Sequence, residues 1–310
     1  MRRFRFGVSV GEAGSRAEWA AKARRAEDLG FDTLLTADHL VATLPPLQPL
    51  ITAAEATNRL RVGTLVLNND FRHPVLVARE AAALDLLSDG RFELGLGAGH
   101  MKPEYDEAGM DFDPPATRIE RLGEAVRIIK GLLDGETVSF SARHYQVAGH
   151  TGHPPPVQRP HPPILIGGNS RETLSLAGRE AEIAGLTGFG HTREGKVVLS
   201  GFTAAATEQR ISWVREAAGE RFDVIELNAL VQRVVVTENR QEAAAELAAR
   251  IPRLTPEQAL ESPYLLIGTV AQLIDDLHAR RERLGISYCV VFEPALDALA
   301  PVVARLAGQT

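Results

Sequence analysis

Thr33-Leu34-Leu35-Thr36-Ala37-Asp38-His39 is the stretch that decides how this 310-residue chain is read. A short strand of apolar and β-branched residues stops at a polar pair. The same form recurs on both sides. Upstream, Phe4, Phe6, Val8 and Val10 alternate with Arg5, Gly7 and Ser9. Downstream come Arg61–Leu67 and Arg91–Leu96, the second closing on Gly97-Ala98-Gly99. These four starts lie roughly 30 residues apart, the size of one βα unit. Between the first two, Ser15 reads as a helix N-cap. Trp19, Ala23 and Ala26 follow at helical spacing, and Gly30 ends the helix.

Four more strands are expected at Ile164–Ile166, Ile183–Leu186, Ile225–Leu230 and Ser287–Phe292. Helical patterns at Pro74–Leu87, Ala116–Leu133, Arg171–Ala177 and Val270–Leu284 separate most of them. Strands alternating with helices imply a parallel sheet. Eight βα units predict an α/β fold, the (β/α)8 TIM barrel, with an open doubly wound sheet as the alternative. One domain over residues 1–310 is expected. The spacing loosens after the fourth strand. Gly135–Pro163 holds a candidate hairpin, Val138–Phe140 with Tyr145–Val147, and Thr187–Thr203 is a second insertion. Both are expected at the C-terminal mouth, where βα loops build active sites. Val231–Val236 either extends the seventh strand or pairs outside the barrel.

Composition narrows the class. Lys and Arg number 34 against 40 Asp and Glu, a net charge of −6, so a basic footprint for nucleic acid is missing. With 45% hydrophobic and 24% charged residues the chain is of ordinary globular type. No apolar stretch approaches the ~20 residues of a membrane span. Met1-Arg2-Arg3-Phe4 lacks the apolar core of a signal peptide behind it. A lone Cys289 has no internal disulfide partner. A cytoplasmic enzyme acting on a small molecule is expected, without nucleic-acid or membrane partners. The oligomeric state stays open, with a homodimer as the candidate.

Three places could carry chemistry. Asp38-His39 closes the second strand, and in a barrel such a pair points into the site. Histidine can give or take a proton near neutral pH, and aspartate can orient it or bind a cofactor edge. Gly97-Ala98-Gly99-His100 closes the fourth strand with small residues that let backbone approach a planar or phosphorylated ligand. Gly167-Gly168-Asn169-Ser170 opens a helix whose free N–H groups favour an anion, unless Ser170 or Asn169 merely caps it. Gly268-Thr269 has the same form. His144, His150, His153 and His161 lack metal-ligand spacing, so no metal is expected. Cys289, in mid-strand, reads as a buried small hydrophobe.

Taken together, several segments resemble the bacterial luciferase-like superfamily, and within it the branch that uses the deazaflavin coenzyme F420. The resembling pieces include Ala26–Asp32, Ala37-Asp38-His39, Arg61–Val66, Arg72-His73-Pro74, Leu87–Phe92 and Leu94–Gly99. Glu104-Tyr105 with Ala108-Gly109, Pro160–Gly168 and Gly268-Thr269 complete the set, which runs from the first strand to the last. The resemblance implies a barrel with the deazaflavin ring near Ser9, Asp38, His39, Leu65, Val66, Ala98 and Gly99. It also implies a non-prolyl cis peptide after the third strand, at Leu65–Val66 or its neighbour. Gly167, Gly168 and Asn169 match the cofactor-phosphate region, and Thr187 a substrate-side position. One position departs. Sugar-phosphate dehydrogenases of this branch carry glutamate where this chain has His100, so a substrate other than glucose 6-phosphate is expected.

The expected function is hydride transfer between F420 and a small organic substrate, by reduction of C=C or C=N or by alcohol oxidation. His39 is the first candidate for the proton, with Asp38 fixing the ring or the imidazole and His100 second. The alternative is an FMN-dependent monooxygenase of the same superfamily with a partner reductase. Asp38-His39, where flavin members often show Glu-His, favours the deazaflavin. A barrel that binds a flavin-like ligand without turnover is a third reading, disfavoured by the intact pair.

Overall fold

The structure, a computed structural model, describes residues 2–41, 43–191, 197–199 and 201–309. Eight parallel strands close a barrel. They are β1 (Arg5–Ser9), β2 (Thr33–Thr36), β3 (Arg61–Thr64), β4 (Phe92–Gly97), β5 (Ile164–Gly168), β6 (Ile183–Leu186), β7 (Glu226–Leu230) and β8 (Ile286–Phe292). Each pairs with the next, and β8 returns to β1 with Arg5 opposite Tyr288 and Ser9 opposite Phe292. The closure excludes the open sheet, and all eight expected strands form.

Period-two alternation sorts each strand's side chains. On β1, Phe6 and Val8 face outward into the core shared with the helices, while Arg5, Gly7 and Ser9 face inward. An eight-stranded barrel is filled by its own side chains, in layers. The middle layer sets Gly7, Gly63, Gly95 and Gly185 against Leu35, Leu165, Tyr288 and Val290. The glycines make room. A Cβ on Gly7 would lie 3.0 Å from Val290 and 3.2 Å from both Leu35 and Tyr288. At the N-terminal end the interior is charged. Arg5 meets Glu93 and reaches Glu226 at 2.6 Å, Arg61 meets Glu93 at 2.5 Å, and the Arg5 guanidinium lies 4.2 Å over the Tyr288 ring.

Around the barrel run α1 (Arg16–Asp28), α2 (Gln48–Ala56), α3 (Pro74–Leu87), α4 (Lys102–Ala108), α5 (Pro115–Leu133) and α6 (Arg171–Glu180). They are followed by α7 (Ala204–Ala218), α8 (Arg240–Ala248), α9 (Pro256–Glu261), α10 (Val270–Leu284) and α11 (Leu296–Leu306). Ser15 caps α1 by accepting the Glu18 N–H. Thr269 and Gln272 form a reciprocal capping box on α10. Among the described residues no helix is long and apolar enough to cross a membrane.

Three expectations change. The third strand, expected to reach Leu67, stops at Thr64, where the Leu65–Val66 peptide is cis as the resemblance implied. Leu67–Asn68 then rejoins β4 opposite Leu96 and Gly97. The Gly135–Pro163 insertion follows a helix, not a strand, so it starts at the N-terminal end instead of at the mouth. Its hairpin, Thr137–Ser141 with Gln146–Thr151, lies along α5. Only its tip reaches the loop after β3, where Asn69 donates to the Tyr145 hydroxyl at 3.3 Å. The insertion after β6 does belong to the mouth, and residues 192–196 and 200 of it lie outside the described set. Arg233–Val236 pairs outside the barrel, in parallel with Leu265–Gly268, a strand the sequence reading missed. Cys289 is buried on β8, and burial pushes its thiol up to about 12.

Candidate active site

The loop after β2 carries Asp38 and His39 to the mouth and sends them to different partners. Asp38 is buried. Its carboxylate makes a two-point ion pair with Arg72, one contact at 3.3 Å, and accepts the Asn68 N–H at 3.0 Å. Aspartate therefore joins the β2 loop to the segment after β3. It does not hold the imidazole, one of the two roles the sequence reading offered for it.

Glu104 holds it instead. This side chain on α4 is buried to 4% exposure, and its Oε1 lies 3.0 Å from His39 Nδ1. A carboxylate at that distance can only accept, so Nδ1 carries the proton and donates. Nε2 is then the basic nitrogen of the neutral ring, on the side away from Glu104. The same Glu104 oxygen accepts the Leu40 N–H at 3.2 Å, which fixes the backbone beside the histidine. His39 keeps 27% of its side chain exposed. The His100 ring stands edge-on to it, with centroids 5.4 Å apart.

Tyr105, next to Glu104, fixes the neighbouring loops from the other side of α4. Its buried hydroxyl donates to Asp70 at 3.0 Å and accepts from the Asn68 amide at 2.9 Å. Burial and the Asp70 charge raise its pKa, so the phenol stays protonated. Arg121 pairs Asp70 at 2.7 Å and also meets Asp113. Arg118, buried, donates to the carbonyls of Ala98 and Gly99. Gly99 has φ +74°, and a Cβ there would strike the Tyr105 hydroxyl and Asn68. Its missing side chain thus serves the protein's own packing.

The floor inside this ring of loops is apolar and small. Leu65, Val66 and Leu230 are half-buried on the interior cluster, and Ser9, Gly97 and Gly167 add little bulk above it. A Cβ on Gly97 would lie 2.6 Å from Val66, and one on Gly167 would lie 3.1 Å from it. Beyond β5, Ser170 caps α6 by accepting the Thr173 N–H, leaving the N–H groups of Arg171 and Glu172 at the helix start. Asn169 is engaged: its amide donates to the Phe189 carbonyl. Gly168 packs on the helix, where a Cβ would meet Thr173 at 2.5 Å. Thr187 accepts the Phe189 N–H at 3.3 Å. An apolar floor ending at a helix N-terminus fits a planar ring with an anionic tail.

His144 finds a structural role. With Glu120 and Glu124 it forms a latch under the hairpin. The buried Glu124 accepts the N–H groups of Arg143, His144 and Tyr145, and Glu120 contacts His144 Nε2 at 3.2 Å and Arg143 at 3.0 Å.

Glu104 and Arg72 are the partners that sequence reasoning assigned no role. Glu104 lies 65 positions from His39, and no local spacing joins them. Only the barrel, which sets the ends of β2 and β4 near one mouth, brings them together.

Barrel, strand-end histidine and cis peptide after β3 define one class, and the chain belongs to the luciferase-like monooxygenase family, whose model matches residues 2–284. A curated relative is the F420-dependent glucose-6-phosphate dehydrogenase of Microbacterium testaceum (strain StLB037), 36% identical over 165 residues. The match covers 51% of this chain and 48% of the relative, so the chain spans about half the length of that protein. Among solved structures, an F420-dependent secondary alcohol dehydrogenase in complex with an F420-acetone adduct has a TM-score of 0.78 at 17% identity. The match covers 98% of this chain and 99% of that one. EDTA monooxygenase from Chelativorans sp. BNC1 scores 0.77 at 16% identity, over 100% of this chain and 95% of that one. These likenesses establish the fold.

Proposed function

We propose that the protein is an F420-dependent oxidoreductase that moves a hydride between the deazaflavin and a small organic substrate. The observation that carries this reading is the buried Glu104 holding His39 Nδ1 at 3.0 Å beside an apolar floor. The part-length relative named for F420 supports the choice of cofactor. Ser9, Leu65, Val66, Ala98 and Gly99 would hold the ring. The backbone of Gly167, Gly168 and Asn169 and the first turn of α6 would take the phosphate end. When bound, F420 supplies a hydride or accepts one; this chain's residues orient the partners and handle the proton. His39 Nε2 takes the proton from a substrate hydroxyl in oxidation, or returns it to the oxygen in reduction. Glu104 holds the ring in the tautomer this needs and stabilises its charged form. Asp38 acts through Arg72 and Asn68, as a brace between loops. His100, at the edge of the His39 ring, is the second proton-transfer candidate.

The test is a titration of the purified protein with F420 and, separately, with FMN. Saturable quenching of F420 fluorescence with no FMN binding is the expected result. Tight FMN binding without F420 binding would overturn the proposal in favour of the FMN-dependent monooxygenase reading.

A further inference from the structure

We propose that Glu120, Glu124 and His144 form a binding site for a divalent transition-metal ion of the zinc type, on the outside of the barrel and apart from the active site. Glu120 and Glu124 stand one turn apart on α5, and His144 reaches them from the tip of the hairpin. One ligand atom from each of the three lies within 4.8 Å of the other two. The residue types choose the ion. An imidazole nitrogen with two carboxylate oxygens is a zinc set, whereas Mg2+ and Ca2+ take oxygen ligands. The spacing of the histidines along the chain predicts no metal, because His144 lies 24 positions from Glu120 and 20 from Glu124, and only the fold joins them.

The nitrogen is aimed at the carboxylates and not at water. The His144 side chain is 9% exposed, and its Nε2 lies 3.2 Å from Glu120 Oε2. Two ligands held ~2.0–2.1 Å from a tetrahedral zinc stand about 3.3 Å apart, so this edge of the site is already set. Without the ion, the carboxylate at that distance can only accept, so Nε2 carries the proton. On binding, the ion takes that place, and the ring stays neutral with its proton on Nδ1. Glu124 is buried and retains acceptor capacity. Its Oε2 accepts the His144 and Tyr145 N–H groups, and its Oε1 accepts only the Arg143 N–H. A carboxylate oxygen has two acceptor sites, so one on Oε1 is unused among the described residues. Arg143 competes for Glu120 at 3.0 Å, but its side chain is 67% exposed, and an exposed ion pair gives way easily. The two carboxylates balance the charge of the ion, and a water would complete the tetrahedron. Tyr145, next to His144, accepts the Asn69 amide and sets its ring edge-on to His73 at 5.4 Å. The ion therefore clamps the hairpin tip against the loop after β3.

The test titrates the chelator-stripped full chain with ZnCl2 by calorimetry and follows the His144 ring by nitrogen NMR. One saturable site is expected, with the His144 Nε2 resonance moving as it fills and the melting temperature rising. MgCl2 should give no saturable heat. Glu120→Gln, at a side chain 47% exposed, and His144→Gln should each weaken Zn2+ binding at least tenfold, as loss of a ligand costs no less than loss of its supporting shell. No saturable heat with ZnCl2 in the parent protein, or an isotherm that survives Glu120→Gln, would overturn the proposal. So would an isotherm lost in His39→Ala and kept in His144→Gln, which would put the ion at the barrel mouth. Should His144→Gln fail to fold, the Glu120→Gln isotherm decides alone.

Discussion

A histidine can manage a proton only if its ring is held and its outer nitrogen is kept for the substrate. His39 meets the first condition through Glu104, a carboxylate with almost no contact with water. His39→Ala should lower kcat by about 10²–10⁴, the usual scale of positioned proton transfer, with F420 affinity within a few-fold of the parent. Glu104→Gln keeps the shape and loses the obligate acceptor. Nitrogen NMR of the His39 ring should then change from the Nδ1–H form to a mixture, and kcat should fall without a change in F420 binding. An unaltered ring spectrum would remove Glu104 from its role. At this scale the sequence was only half legible. Asp38-His39 stood out as a pair, yet adjacency on the chain sends the two side chains to different partners, and the one that matters to the imidazole comes from α4. Asn169 shows the same limit. A polar residue at a helix start looks available until the fold supplies the Phe189 carbonyl.

Short elements were read well where period and punctuation agreed. Pro74–Leu87 and Val270–Leu284 form helices over the residues expected. Proline at the first turn marks the start of one, and the Thr269 capping box marks the start of the other. Elements that depend on remote neighbours were harder. Leu265–Gly268 becomes a strand only because Arg233–Val236 lies beside it. Gly168, read from the sequence as part of a phosphate approach, has a prior duty: it lets β5 meet the first turn of α6 at Thr173. Gly168→Val should therefore cost about 1–3 kcal/mol as an overpacked contact. A shift of the urea midpoint with little change in slope would register it. If F420 affinity fell with no loss of stability, the glycine would serve the ligand alone.

For the whole molecule, the roughly 30-residue repeat was enough to predict a closed barrel, because each βα unit adds one strand and one helix to the same ring. What the repeat hid was the barrel's charged end, since Arg5, Arg61, Glu93 and Glu226 sit in four separate strands. Burial drives the Glu93 carboxyl upward, but Arg5 and Arg61 outweigh it and hold its pKa below the ordinary glutamate value. Its contribution is thus full above about pH 4.5 and is lost as pH falls through the lowered folded value. Glu226 is shifted the other way by burial and by Glu93, so it opposes this in part. Glu93→Gln leaves two arginines facing an uncharged group and should cost about 3–5 kcal/mol at pH 7. Urea unfolding of parent and variant at pH 7 and at pH 3 checks both points, and the gap between them should narrow at the lower pH.

That charged end also makes the barrel a blind well. On the hydride-transfer reading, cofactor and substrate share a single doorway, and the ring that lies against the Leu65, Val66 and Leu230 floor is the deeper guest. It must arrive first and depart last. Turnover then becomes a queue, in which a substrate that returns to the doorway too soon traps the spent cofactor beneath it.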